Sequence, residues 1–213
     1  MHLILAAAVA ACWASTAMAQ SLLDPGGLTF KDFAIADHGA SFSRNDSIPV
    51  SGASGAQLLH VDEANGKAQV SFKSVKVEAS VPLGWQAGDD GERGVAFSGD
   101  RSYRLIVWRV DFAFEGVTGP EHYAATKSGA IQSRRPGVKA QARKLGDGSV
   151  LIVYENVPAS QGDRETRTVF DLVMANPSKP NEGLLMTVGV PSGQAGRGLG
   201  LLALFKQDLR ITW

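Results

Sequence analysis

A single cysteine, four histidines and no surplus of either charge leave this 213-residue chain few reactive chemistries. Its 21 Lys and Arg residues equal its 21 Asp and Glu, so the cationic excess that a dedicated nucleic-acid binder needs is missing. At 44% hydrophobic and 20% charged, the composition excludes a disordered acidic or basic chain, and one Cys excludes a disulfide scaffold. The 24 glycines fall in no triplet repeat, which excludes a collagen-like rod. What is left is one globular domain, or a domain with an extension.

Charge is also absent locally. Residues 1–19 contain no Asp, Glu, Lys or Arg, and an apolar stretch from Leu3 runs into Ala17-Met18-Ala19. Small residues three and one before Gln20 fit a signal peptidase, so residues 1–19 read as a signal peptide cleaved after Ala19, although the usual amino-terminal Lys or Arg is missing. A second reading uses Val9-Ala10-Ala11-Cys12, similar to a bacterial lipobox, which makes the chain a lipoprotein anchored through Cys12. A retained anchor fits less well, because the apolar segment is shorter than the roughly 20 residues of a membrane span and is interrupted by Ser15 and Thr16. Removing 19 of 213 residues leaves 194, enough for a core. That mature chain has no thiol, hence no disulfide, thiolate metal site or Cys nucleophile. The expected address is periplasmic or secreted.

Residues 20–80 form the least regular section and read as an amino-terminal extension carrying a β-hairpin. Leu58–Val61 and Ala68–Phe72 flank Asp62-Glu63-Ala64-Asn65-Gly66, and Asn-Gly tolerates the positive φ of a tight turn. Apolar parity slips near Lys73-Ser74, which predicts a bulge or bend there. Tyr103–Phe114 predicts a long central strand, with Ile106, Trp108, Val110, Phe112 and Phe114 on its main apolar face and Leu105 and Val107 on the other. Thr118 and Pro120 predict a helix start with Thr118 capping the amide of Glu121, the helix running to Ser133 before Pro136-Gly137. Four strands follow at about Val138–Leu145, Ser149–Val157, Glu165–Met174 and Gly183–Val190, and their short Gly-, Asp- and Pro-bearing connections predict an antiparallel meander. Val150–Tyr154 is apolar on both faces and reads as a central strand. Leu199, Leu202, Phe205 and Leu209 space out as one face of a closing helix.

Residues 81–213 therefore read as an α+β domain, an antiparallel sheet of about six strands flanked by two or more helices. An all-β sandwich or barrel is the alternative, should the two helices be loops. The order strand, helix, four strands, helix, entered by Val81-Pro82-Leu83-Gly84-Trp85, resembles the PsbP/Mog1-like α/β/α sandwich family, in which a Pro-x-Gly-Trp turn enters the sheet. That resemblance implies a non-enzymatic accessory or binding role exercised through a surface, and it carries over no site residue.

No catalytic, metal or cofactor constellation stands out. His38, His60 and His122 fall in separate segments without the two-histidine helical spacing of a zinc hydrolase. Gly52-Ala53-Ser54-Gly55 misses the Gly-x-Ser-x-Gly spacing and reads as a polar loop. Asp89, Asp90 and Glu92 read as a solvated turn between strands. Gly193–Gly200 offers exposed amides and Arg197 before a helix, so Gly196, Arg197 and Gly198 are the candidate anion-binding residues, although neither a Walker loop nor a dinucleotide fingerprint is matched. A mobile connection is the plainer reading of that segment. Lys127, Arg134, Arg135, Lys139, Arg143 and Lys144 lie in a stretch with no acid between His122 and Gly146. They form a candidate partner surface if helix and strand present them together, and a solvated face otherwise.

The expectation is an exported, non-catalytic binding or accessory protein of the bacterial cell envelope. Its partner would be an unidentified protein or an anionic envelope component, with no cofactor, no nucleic acid and no transmembrane span in the mature chain. The alternative is a small secreted hydrolase with a site assembled from distant residues, which requires a nucleophile beside His60 or His122.

Overall fold

A computed structural model of the chain describes residues 23–35, 56–158 and 165–213. The expected signal peptide, Cys12, His38 and the Gly52–Gly55 loop lie outside the described residues. Two antiparallel sheets carry the architecture. The smaller is built from β1 (Gln57–Asp62), β2 (Lys67–Phe72), β3 (Val77–Pro82) and β11 (Arg210–Ile211), in that spatial order. The larger has seven strands in the order β4 (Gln86–Asp89), β5 (Arg93–Phe97), β6 (Arg104–Asp111), β10 (Lys179–Pro191), β9 (Arg167–Asn176), β8 (Val150–Val157) and β7 (Lys139–Lys144). Helix α1 (Pro120–Arg134) packs on one face of the large sheet, against β7, β8 and β9. Helix α2 (Ala195–Gln207) packs on the other face, against β9 and β10. The α+β expectation holds and the all-β alternative does not, since both helices form and neither sheet closes. The main sheet has one strand more than the six expected.

Two apolar cores follow from this layering. Val70, Phe72, Val77, Ala79 and Val81 of the small sheet meet Leu105, Val107, Phe170, Leu172, Leu184 and Met186 of the large one, with Leu201, Leu202 and Phe205 of α2 completing the cluster. On the opposite face, Val150, Ile152, Tyr154, Val173 and Leu185 pack under Tyr123 and Ala124 of α1. The expected division at residue 80 falls inside β3, and β2 and β3 share their core with the large sheet. The Pro82–Trp85 turn is pinned into that core, because the buried Trp85 indole donates to the Phe33 carbonyl at 2.9 Å and Gly84 takes a φ of 81°.

Several expectations are corrected. The parity slip at Lys73-Ser74 is a chain reversal: Lys76 N bonds Lys73 O, Lys76 adopts a φ of 52°, and Val77 begins a separate strand. β8 lies second from the sheet edge, not at its centre, and is buried on both faces because Leu151 enters one core while Val150, Ile152 and Tyr154 enter the other. The strand expected to reach Phe114 ends at Asp111, whose carboxylate accepts the amides of Ala113 and Phe114 and turns the chain, leaving Phe114 88% exposed. Both faces of this strand are apolar as expected, but the burial is uneven: Leu105 and Val107 are fully buried on one face, while on the other Val110 and Phe112 are buried and Ile106 and Trp108 only half-buried. Thr118 does not cap α1. Gly119 occupies the N-cap with a φ of 144°, a value that favours glycine, and Pro120 follows at the first helical position. His122 Nδ1 accepts the Thr118 amide at 3.4 Å, so that histidine serves the helix start.

The glycine-rich segment is helical from Ala195, not a mobile connection. A side chain on Gly198 would meet the Phe170 ring at 2.5 Å, and one on Gly200 would meet Leu28 at 2.6 Å. Both glycines let α2 lie close to the sheet and to the amino-terminal segment.

Candidate binding groove

Helix α1 covers the β7 side of its sheet face and leaves the β5–β6 side open among the described residues. The strand registers place Val95, Ile106, Thr187, Asp171 and Ile152 in one row across five strands. Arg93, Trp108, Leu185, Val173 and Val150 form the next row. Ile152, Val173 and Val150 lie under the helix, whereas Val95, Ile106, Arg93 and Trp108 lie beyond it. Between the helix flank and this open half runs a groove. One part, of about 370 Å³, is lined by residues that include Arg93, Arg104, Ile106, Trp108, Tyr154 and Asp171. A second part, of about 610 Å³, extends past Val110, Val117, Phe114 and Glu115. Trp108, Lys127 and Arg134 line both, so the two parts adjoin.

The groove has a buried ionic base. Asp171 is 2% exposed, lies 2.9 Å from the Lys127 ammonium, and accepts from the Thr187 hydroxyl at 2.5 Å. Lys127 also sits 5.4 Å from the Trp108 ring centroid and 5.7 Å from that of Tyr123, a position in which its charge is shared between carboxylate and ring faces. Burial, reinforced by the Asp171 charge, pushes the Tyr123 hydroxyl up to about 12 and moves that of Tyr154 in the same direction. The Tyr154 hydroxyl is turned toward Ser128 and Asp171, whereas the Trp108 indole nitrogen is buried and meets no acceptor.

The rim is cationic. Arg134 and Arg135 are exposed at the end of α1 and form no ion pair among the described residues. Arg93 has its Nε held by Asp90 at 2.5 Å. The Arg104 side chain lies across Gly189, where an added Cβ would approach its Nε to 2.8 Å, so the missing side chain at 189 makes room for the arginine.

The six cations expected to form one surface are divided by the fold. Lys127, Arg134 and Arg135 belong to this groove. Lys139 and Arg143 project from β7 on the α2 side, near Leu151, Val153 and Leu199. Lys144 pairs with Glu121 at 2.5 Å. Alternation along an edge strand sends neighbouring cations to opposite faces, which contiguity in sequence conceals. Arg197 donates to the Asp32 carbonyl at 2.6 Å and lies over the Phe33 ring, while Gly198 N is already bonded to Gln194 O. The candidate anion loop thus spends its guanidinium on the amino-terminal segment.

Asp89 and Asp90 sit in the β4–β5 turn, where Asp89 is buried and accepts Ser74 N and Gly91 N. His60 and Ser80 share the outer face of the small sheet but pair with opposite sides of Gln69, so β2 separates them by two strand spacings, about 10 Å. Among the described residues no group of three His, Cys, Asp or Glu side chains is placed to hold a metal, and no helix is long and apolar enough to cross a membrane.

Sequence reading missed Arg93, Arg104, Trp108, Tyr154 and Asp171 as groove residues. One usable signal was present: β6 carries large apolar side chains on both faces, more than a singly covered strand needs.

An antiparallel sheet with one helix on each face and a Trp-bearing turn pinned into its core defines a PsbP/Mog1-like fold. The chain is similar to the Ran-binding protein Mog1p of Saccharomyces cerevisiae, at 10% identity, with 68% of this chain and 95% of that one covered and a TM-score of 0.51. It also aligns with cyanobacterial PsbP (CyanoP) of Synechocystis, at 14% identity, with 69% and 93% covered and a TM-score of 0.47. No family model matches the chain, and no curated protein matches its sequence.

Proposed function

We propose that the chain is a non-catalytic binding or accessory protein that receives an anionic partner in the groove between α1 and the open half of the large sheet. The observation that carries this reading is the stripe of Ile106 and Trp108 left uncovered beside α1 and bordered by Arg93, Arg104, Arg134 and Arg135. Half-buried apolar side chains bordered at one end by a cluster of cations suit an interface: the apolar floor supplies desolvation energy and the cationic end supplies selection by charge. An address in the bacterial cell envelope or outside the cell belongs to the same proposal and rests on the expected signal peptide, with the chain either cleaved to begin at Gln20 or held as a lipoprotein on Cys12. The intact mass of the recovered chain distinguishes these two forms.

A photo-crosslinking amino acid at Val95, in the groove row, tests the binding reading against one at Ser71, on the outer face of the small sheet. Adducts are expected from position 95 alone, and they should disappear when Arg134 and Arg135 are both changed to Glu. Equal labelling from both positions, or adducts that survive the charge reversal, removes the groove from the function.

A further inference from the structure

We infer that the occupant of the groove is an extended acidic peptide segment that carries an apolar side chain, presented by a partner protein. This inference rests on the binding role proposed above and names the partner's chemistry. Shape comes first. The groove follows β6 from Arg104 to Asp111, eight residues that extend about 25 Å at the rise of a strand. Two adjoining depressions set along one strand accommodate an extended chain of similar length better than a compact ligand, which would fill one part and leave the other wet.

Charge sets the direction. Arg93, Arg104 and Arg135 line the Arg104 end alone and Arg134 lines both parts, whereas Asp111 and Glu115 stand with Arg109 at the other end. Lys127 in the middle is neutralised by Asp171 and neither attracts nor repels strongly. Carboxylates of a guest segment therefore belong at the arginine end, and guanidinium groups are suited to hold them in pairs. An uncharged or basic stretch belongs near Asp111 and Glu115.

Chemistry of the floor supplies the third constraint. Ile106 and Trp108 offer a half-buried apolar and aromatic surface for one apolar side chain. The Trp108 indole N–H is a buried donor without an acceptor. Unmet buried donors are costly, and an acceptor from an entering chain would relieve the cost. A flat anionic membrane fits less well, because Asp171, Tyr154 and Ile106 lie in a concavity behind the helix flank and a bilayer surface would touch the rim alone.

Selection of random heptapeptides displayed on phage against the immobilised mature chain tests the inference. Peptides rich in Asp and Glu that also hold a Phe, Leu or Ile are expected to be enriched. Their binding should weaken about tenfold in the Arg134→Glu/Arg135→Glu variant and stay unchanged in Lys139→Glu/Arg143→Glu on the opposite face. Gly189→Ala, which displaces Arg104, should weaken it while circular dichroism stays that of the parent. Enrichment of basic or neutral peptides, or of none, overturns the inference. Retention on phosphatidylglycerol vesicles that depends on Arg134 and Arg135, with no acidic peptide enriched, also overturns it and leaves the groove as a lipid-facing site. Absence of both signals, together with no adduct from position 95, ends the groove reading as well.

Discussion

The Lys127 ammonium reaches 2.9 Å from Asp171 across the groove floor, and it joins helix α1 to β9 through a carboxylate that solvent barely touches. Two desolvated charges that satisfy each other add little net stability, yet removing one strands the other. Lys127→Met is therefore expected to cost about 3 kcal/mol in urea unfolding, close to the range for a broken buried pair. Lys127→Met/Asp171→Asn should recover much of that loss, because no buried charge is left. If the single variant unfolds at the parent's urea midpoint, the pair has no structural role.

Glycines in the two helices and sheets give opposite signs. A Cβ on Gly94 would lie 2.3 Å from the Phe72 ring, where the two sheets meet. Gly94→Ala should destabilise by about 1–3 kcal/mol through overpacking. Gly129 sits on the exposed side of α1 with open space around its Cα. There Gly129→Ala should stabilise by up to about 1 kcal/mol, since alanine is the better helix former. Thermal unfolding of the two variants side by side reads both signs, and a stabilised Gly94→Ala would contradict the close packing of the sheets.

Local patterns carried the meander from Lys139 to Pro191 and both helices, because turn residues and apolar spacing act within a few residues. Pairings across long separations left no such trace. β11 joins β3 by Arg210 opposite Glu78 and Ile211 opposite Val77, and two residues at the chain end announce no strand. β4 is short and contains Gly88 and Asp89, both poor strand formers, so its existence depends on β5 beside it. The groove was hidden for a related reason. Periodicity identifies two apolar faces on β6, but which one is covered depends on where α1 ends its coverage, and α1 packs on strands formed later in the chain.

Alkaline conditions should expose the buried phenols beside Asp171. Tyr123 is pushed up to about 12, and Tyr154 is shifted the same way, by burial and by the nearby carboxylate. In the unfolded chain these groups ionise near 10. Above that pH the unfolded state has lost protons that the folded state retains, so stability falls as pH rises. Ultraviolet difference titration of the parent against Tyr123→Phe and Tyr154→Phe should show both of these phenols ionising late, or only on unfolding. Ordinary titration of the two would place Tyr123 and Tyr154 in water.

Acid should act on a different contact, the tie between the β7–β8 turn and helix α2. Burial works to raise the Asp147 carboxyl, but hydrogen bonds from Lys206 at 2.6 Å and from the Ser149 hydroxyl and amide outweigh it and hold Asp147 at about 2, below its ordinary 3.8. A depressed carboxyl contributes stability in full above its unfolded value and loses it as pH falls from about 4 through about 2. The half-exposed side chain is screened by solvent, which limits the contribution to about 1 kcal/mol. Urea midpoints measured from neutral pH downward should therefore fall more steeply below pH 4 for the parent than for Asp147→Asn, which gives up the charge at every pH. Parallel curves would mean that Asp147 ionises alike in both states, and that the turn is held to α2 by packing of Leu145 into the core instead.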